Sequence, residues 1–322
     1  MVVESKTERM EKKIYTELGA INELLKDPAV IDIMYNPSGD LYVERYGVGI
    51  VKETINYSPH TAYMLICSVA SYNDTSCTDE APLLSALLPG GQRFQGFTKP
   101  AVSSPAFSIR CNRSMDITLD DYVADGALLP EHREYIHNAL AKKENIILSG
   151  STGSGKTTFC SGCMNELYMI APDDRVIIME DVPEMQIKHH NVVKERKTPT
   201  CSYSDLLAAN LRANPDRIIL GESRGGEAYD LLNSWNTGHP GGVTTLHANS
   251  AESALTRFAG LVLKNPEAQQ LNLLAIRSEI AEAVDVVVHI ARKAGCKPKV
   301  TEIIKLDKQL NLDGTYKIER IL

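Results

Sequence analysis

Short apolar runs and helical patterns alternate through the second half of the chain. The strand-like runs are residues 145–148, 176–179, 217–220, 243–246 and 284–289. Between them, segments 204–213, 227–235, 251–263 and 271–283 have helical patterns. Ser204 and Ser250 stand where helix N-caps are expected. Alternation of this kind predicts an α/β fold, in which a mainly parallel sheet is covered by helices on both faces.

The first part of the chain has a different pattern. It predicts helices over residues 4–25 and 60–72, and short strands at 30–34, 41–44, 49–52, 92–95 and 106–110. We therefore expect a smaller α+β domain over residues 1–115, an acidic linker over 116–130, and an α/β domain over 131–322 that ends in a hairpin around Asp313-Gly314.

Length, charge and apolar content limit the classes of protein to which this chain can belong. The 322 residues and 35.4 kDa are enough for two domains with separate cores. A net charge of −7 argues against binding nucleic acid through a bulk electrostatic field, and we expect no direct sequence-specific contact with it. No apolar stretch reaches membrane-spanning length, and the first residues lack the apolar segment of a signal peptide. These features predict a cytoplasmic protein that can still lie peripherally on a membrane.

The cysteines and one histidine pair do not indicate a metal or disulfide site. Seven scattered cysteines are an odd number and do not form a disulfide framework. Cys160 and Cys163 form one C-x-x-C without the second pair that a zinc site needs, so core packing is expected there. His189-His190 lies in a polar stretch and is expected in a solvated loop.

A glycine-rich loop carries the clearest chemistry in the chain. It reads Gly150, Ser151, Thr152, Gly153, Ser154, Gly155, Lys156, Thr157 and Thr158, between a predicted strand and a predicted helix. Glycines let the chain turn tightly and direct backbone N–H groups inward, and the helix dipole adds positive potential. Lys156 is placed to meet the β- and γ-phosphates, and the Thr157 hydroxyl is a natural Mg²⁺ ligand. The loop predicts binding of a nucleoside triphosphate with Mg²⁺.

Acidic residues follow two other predicted strands. Glu222 follows the run 217–220 in a Walker B arrangement that has Gly221 where aspartate is more common, and it is the expected base for water. Glu180, Asp181 and Glu184 follow the run 176–179, where carboxylates can hold Mg²⁺ or its waters. For Asp181 the alternative, a helix N-cap, is equally open.

Two histidines flank the run 243–246. His239 lies in the glycine-rich turn 237–242 before it, and His247 follows it. A histidine beside a nucleotide can donate to the γ-phosphate, and we expect this role chiefly for His247.

The order and spacing of these motifs closely resemble the type II/type IV secretion ATPases, nearest to the conjugal-transfer and type IV secretion branch. The matching stretches are 150–158, 180–184, 211–224, 237–239 and 245–249. The resemblance implies a RecA-like motor domain, ATP as nucleotide and a homo-hexameric ring. It also implies a location at the cytoplasmic face of the inner membrane, against channel or platform proteins of a secretion or conjugation system. Lys156, Glu222, Glu180 and His247 are the expected catalytic residues.

A weaker resemblance covers the first domain, at residues 36–40, 91–93 and 107–110. It implies that Arg93 and Arg110 reach the nucleotide. Two alternatives remain: a type IV pilus assembly or retraction ATPase or type II secretion ATPase, and a scaffold that binds ATP with negligible turnover. Extension motors of the pilus branch often carry an insertion with two C-x-x-C pairs, which this chain lacks.

Overall fold

The computed structural model of the chain describes residues 5–45, 48–111, 117–181, 185, 187–198, 200–292 and 296–322. The chain divides into two compact units, unit 1 (Met1–Ser114) and unit 2 (Met115–Leu322). Each unit has its own sheet and its own buried apolar core. The structure is therefore α/β with two sheets, as the sequence pattern predicts. None of the helices in the described ranges is long and apolar enough to cross a bilayer.

Unit 1 contains an antiparallel sheet with three helices among its described residues. The strands lie in the order β3-β2-β1-β6-β5-β4. They are β1 (Val30–Tyr35), β2 (Leu41–Arg45), β3 (Gly49–Glu53), β4 (Leu83–Leu87), β5 (Arg93–Phe97) and β6 (Ala106–Arg110). The helices are α1 (Lys6–Leu18), α2 (Ile21–Lys26) and α3 (Pro59–Tyr72).

Two features of unit 1 differ from the prediction. The single helix predicted over residues 4–25 is wrong, because Gly19 adopts φ +52° and ends α1 before α2 begins. Strand β4 was missed because only Leu84 in it is deeply buried, so its sequence lacks a clear alternation.

Unit 2 is built on a larger sheet. Its strand order in the described residues is β14-β13-β12-β7-β11-β10-β8-β9. The strands are β7 (Ile146–Gly150), β8 (Val176–Met179), β9 (Val192–Glu195), β10 (Arg217–Leu220), β11 (Val243–His247), β12 (Val286–Ala291), β13 (Lys299–Leu310) and β14 (Tyr316–Arg320). All pairs from β12 through β9 are parallel, whereas β13 and β14 are antiparallel.

Helices cover both faces of this sheet. They are α4 (Leu119–Ala124), α5 (Pro130–Ala141), α6 (Lys156–Ile170), α7 (Tyr203–Asn210), α8 (Glu227–Asn236), α9 (Ala251–Val262) and α10 (Leu273–Ala283), with a 3₁₀ turn at Ala268–Gln270. One apolar cluster joins α4, α5 and α6 to the sheet, and the other joins α7 to α10. Burial on both faces explains why the strands read as continuous apolar runs.

Two details of unit 2 also differ from expectation. In the segment assigned to a linker, residues 119–124 instead form α4, whose Leu119 and Tyr122 are buried, with Tyr122 against Phe159 of α6. The N-cap of α7 is Ser202 rather than Ser204, because Ser202 forms a capping box with Asp205. Ser250 does cap α9, as expected.

Candidate active site

The sheet of unit 2 brings four predicted site residues to one edge. Gly150 ends β7 and His247 ends β11, and these two residues are opposite each other in the parallel register. Glu180 directly follows β8, and Glu222 follows β10 by two residues. Carboxyl ends of neighbouring parallel strands form the usual ligand edge of an open α/β sheet.

The phosphate loop has the backbone that its glycines predict. Gly153 and Gly155 adopt φ +71° and +87°, and Gly155 is the left-handed N-cap of α6. At Gly150 a Cβ would lie 2.3 Å from the carbonyl oxygen of Ile290, so only glycine fits. Ser151, Thr152 and Gly153 are exposed, whereas Thr157 and Thr158 are half-buried on the first turn of α6.

The loop is suited to an anion and to Mg²⁺. The hydroxyl of Ser154 is buried with no hydrogen-bond partner in the described part of the chain, and it lies within the loop. The described residues contain no cluster of three acidic, histidine or cysteine ligands. Mg²⁺ does not need such a cluster, because it is commonly held by one or two protein oxygens together with phosphates. The Thr157 hydroxyl fits that role.

Lys156 lies inside the loop. Its Nζ donates to the carbonyl oxygens of Gly150 at 2.9 Å and Ser151 at 2.8 Å, and lies 3.4 Å from Nδ1 of His247. Burial lowers the pKa of Lys156, and the charge of Arg224 adds to this, whereas Glu222 opposes it. The lysine is held where a phosphate at the loop would meet it.

His247 links the lysine to the predicted base. Its Nε2 lies 3.1 Å from Oε1 of Glu222. Because an ammonium group only donates, Nδ1 accepts from Lys156 and Nε2 donates to the carboxylate. Burial and the charge of Lys156 lower the pKa of His247, which favours the neutral imidazole that this bonding pattern requires. The structure thus joins three residues that belong to separate sequence motifs.

Arg224 extends the contacts on the other side of Glu222. Its Nη2 lies 2.6 Å from Oε2 of Glu222, and its Nη1 lies 2.8 Å from Oδ2 of Asp181. The sequence motifs predict no role for Arg224, although its position two residues after the predicted base is a signal. We define the charged chain as the linked residues Asp181, Arg224, Glu222, His247 and Lys156.

Asp181 has further partners of its own. The hydroxyl of Tyr203 donates to it at 3.0 Å, and Nζ of Lys197 lies 2.8 Å away. Burial raises the pKa of Asp181, but these bonds and the charge of Arg224 outweigh it, so the net pKa is lowered. These donors are side chains, whereas a carboxylate that caps a helix accepts from a backbone N–H group.

The side chain of Glu180 lies in the interior of unit 2. Its side chain is buried, and Oε1 accepts from the backbone N–H of Met185 at 3.0 Å. Glu184, the third acidic residue of this predicted cluster, lies outside the described residues. A catalytic role for Glu180 stays a prediction.

His239 lies at the opposite edge of the sheet from His247. It precedes β11, and its backbone N–H donates to Ser234 near the end of α8. The five-residue strand spans roughly 13 Å along the chain. Because the two ends of a strand lie at opposite edges of the sheet, His239 lies apart from the phosphate loop. A role beside the γ-phosphate stays a prediction for His247.

Arg93 and Arg110 belong to unit 1. They are opposite each other in the β5–β6 register. Nε and Nη2 of Arg110 each lie 3.1 Å from an oxygen of Asp32. The guanidinium group is therefore held by a two-point ion pair.

Two histidines differ from expectation or were missed by it, whereas a cysteine follows its prediction. His189 is buried, with Nε2 bonded to the carbonyl oxygen of Ala171, so the solvated-loop expectation was wrong for it. His289 was missed because it lies within an apolar strand, where its Nδ1 lies 2.9 Å from the hydroxyl of Ser149. Cys160 is buried in α6 like Cys163, as core packing predicts.

The fold and site define a phosphate-loop α/β protein. The sequence profile of the family described as "Type II/IV secretion system protein" matches residues 15–318. The chain belongs to this family, as its motifs predict.

Individual relatives show which members of the family this chain is similar to. The chain is 42% identical over 305 residues to the conjugal transfer protein TrbB of Rhizobium radiobacter, covering 94% of this chain and 92% of the relative. It is 32% identical over 299 residues to the type IV secretion system protein VirB11 of Brucella suis, covering 83% and 82%. The crystal structure of the Brucella suis VirB11 ATPase aligns with a TM-score of 0.51 over 92% of this chain and 95% of that one, at 31% identity.

Proposed function

We propose that this protein hydrolyses ATP with Mg²⁺ to power conjugative transfer or type IV secretion, either by translocating substrate or by building a pilus. The observation that carries the proposal is the contact of His247 with both Lys156 and Glu222 at the carboxyl ends of parallel strands. Lys156 and Glu222, which we propose as the phosphate-binding cation and the carboxylate base, thus share one neighbour.

Each site residue has a chemical role in this proposal. Backbone N–H groups of residues 150–158 and the N-terminus of α6 bind the phosphates, and Lys156 meets the β- and γ-phosphates. Glu222 accepts a proton from the attacking water, and His247 orients Glu222. Thr157 would hold Mg²⁺, with Glu180 as the further carboxylate at this site, and the bound ion would neutralise charge at the phosphates.

The proposal extends to assembly and location. We propose a RecA-like motor that forms a homo-hexamer, in which Arg93 and Arg110 contact nucleotide. We place it peripherally at the cytoplasmic face of the inner membrane, on channel or platform proteins of the transfer system. Support for the link to such a transfer system comes from the relatives, a conjugal transfer protein and a type IV secretion system protein.

The comparisons favour this proposal over a pilus motor. The pilus retraction motor PilT with bound ADP aligns with a TM-score of 0.60 but is only 19% identical, which supports a common fold alone. Identity to the conjugal transfer protein is 42% over nearly all of both chains.

Two measurements test the proposal. Phosphate release by the purified protein is measured with ATP and Mg²⁺, and again with EDTA. Transfer frequency is then measured in matings whose donor lacks this gene, with and without a plasmid copy. We expect Mg²⁺-dependent turnover and transfer that returns with the copy. Turnover without any transfer defect, combined with lost pilus retraction, would support the pilus alternative instead.

A further inference from the structure

Glu222 is held at both carboxylate oxygens. Oε1 faces Nε2 of His247 at 3.1 Å, and Oε2 faces Nη2 of Arg224 at 2.6 Å. A carboxylate bound by donors on both oxygens cannot rotate freely, because rotation breaks one of the two contacts. The direction in which the proposed base points is therefore determined by two neighbouring residues.

The two neighbours of Glu222 are themselves anchored from different strands. His247 is in contact with Lys156 of the phosphate loop. Arg224 is bonded to Asp181, which follows β8, and its backbone N–H donates to Glu227 at the start of α8. The charged chain thus runs from the end of β8 to the start of α6 and has Glu222 at its centre.

We propose that Arg224 is a positioning residue that aims Glu222 at the attacking water, and that Asp181 acts on catalysis through Arg224. This inference rests on the proposed ATP hydrolysis. The planar guanidinium suits the position because its separate N–H groups bind two carboxylates in different directions at once. Lysine offers one ammonium centre and does not reproduce this fork.

The proposal separates two roles for the acidic segment after β8. Asp181 has one carboxylate oxygen on Arg224 and the other on Tyr203 and Lys197. All of these partners are side chains of the protein. Asp181 therefore affects catalysis by holding Arg224 in position, whereas a direct metal ligand would act independently of Arg224.

Steady-state kinetics test the role of Arg224. We expect Arg224→Ala to lower kcat for ATP by about 10- to 100-fold, the range in which a misplaced catalytic group costs rate, with KM within about twofold of wild type. Arg224→Lys should recover only part of the loss. Arg320→Ala is the matched control, because Arg320 of unit 2 is similarly exposed and paired with Glu252. Wild-type kcat in Arg224→Ala, or an equal loss in the control, overturns the proposal.

A double-mutant comparison tests the role of Asp181. Asp181→Asn should lower kcat, and adding it to Arg224→Ala should cause no further loss, since Asp181 has no route to Glu222 once Arg224 is absent. Two losses that multiply would show that Asp181 acts independently, which contradicts the proposal.

A titration that needs no turnover tests the charged chain itself. The pKa of His247 is lowered first by burial and then by Lys156, Arg224 and Arg257, whereas Glu222 raises it. Proton NMR, with the His247 resonance assigned by its loss in His247→Asn, should show a higher pKa in Arg224→Ala than in wild type. An unchanged pKa of His247 would show that Arg224 is not part of the charged chain in solution. A wild-type protein without ATP turnover would contradict the proposed function, while this titration still decides the contact.

Discussion

Gly221 packs directly against the side chain of Glu180. A Cβ on Gly221 would lie 2.9 Å from Cγ of Glu180 and 3.2 Å from the carbonyl oxygen of Met179. A side chain at position 221 would therefore have to displace the side chain of Glu180. This contact explains why glycine stands where a Walker B strand more commonly has aspartate.

The first prediction concerns Gly221. We expect Gly221→Ala to destabilise unit 2 by about 1–3 kcal/mol, because the new methyl group displaces Glu180 or the backbone of β8. Urea unfolding measures the change. Gly260→Ala is the control, since Gly260 of α9 has open space around a Cβ and alanine favours the helix. Equal effects of the two substitutions would contradict the steric explanation.

The second prediction concerns Lys156. Lys156→Ala should abolish ATP turnover and weaken nucleotide binding while the fold is retained, because the phosphate charge loses its compensating cation. Phosphate release and binding of a fluorescent ATP analogue measure the two effects. Lys317→Ala removes an exposed lysine paired with Asp307 and serves as the control. Normal turnover by the Lys156 variant would show that the loop is not the catalytic cradle.

The third prediction compares the half-buried carboxylate of Glu222 with the buried carboxylate of Glu180. Glu222→Gln keeps the side-chain shape but removes the base, so turnover should fall about 10²- to 10⁴-fold while ATP still binds. Glu180→Gln should have the smaller effect, because its carboxylate is bonded to the backbone of Met185. Both variants are measured by single-turnover hydrolysis. The opposite ranking would reverse these assignments.

The fourth prediction concerns pH and stability. Burial and, secondarily, the charge of Lys156 lower the pKa of His289, although Glu302 opposes this. The unfolded chain, with an ordinary histidine pKa near 6.5, then binds more protons than the folded chain as the pH falls through that value. The free energy of unfolding should therefore fall from pH 7.5 to 5.5, by at most about 1.4 kcal/mol per pH unit for this group.

His289→Asn tests this origin of the pH dependence. The variant removes the titrating group, so its free energy of unfolding should change less between pH 7.5 and 5.5. Urea titrations at both pH values measure the difference. His247, whose pKa is also lowered by burial, contributes in the same direction and leaves some dependence in the variant. An identical slope in both proteins would exclude His289 as a source.

The fifth prediction concerns Arg110 and the proposed ring. An arginine donor matters most as charge develops in the transition state, so Arg110→Ala should impair turnover more than ATP binding. Light scattering with Mg²⁺ and a non-hydrolysable ATP analogue measures assembly, for which we expect six subunits. A particle that stays monomeric in every nucleotide condition excludes the ring. Wild-type turnover by the variant would exclude Arg110 from catalysis.

Local sequence patterns determined much of unit 2. Strands β8 and β10 have the bounds that the sequence predicts, because each is buried on both faces. The phosphate loop is equally predictable, since Gly153 and Gly155 adopt the left-handed conformations that other residues avoid. Such features depend on residues that are neighbours along the chain.

The tertiary structure alone decided which distant residues meet. Residues 119–124 read as an acidic linker, but the buried face of α4 packs on α6. His239 and His247 flank the same strand, yet only His247 reaches the phosphate loop, because the strand direction separates them. The contact of Arg224 with both Glu222 and Asp181 depends on β8 and β10 being neighbours in the sheet. Strand order sets these contacts, and it follows from the packing of the whole unit rather than from any local stretch of sequence.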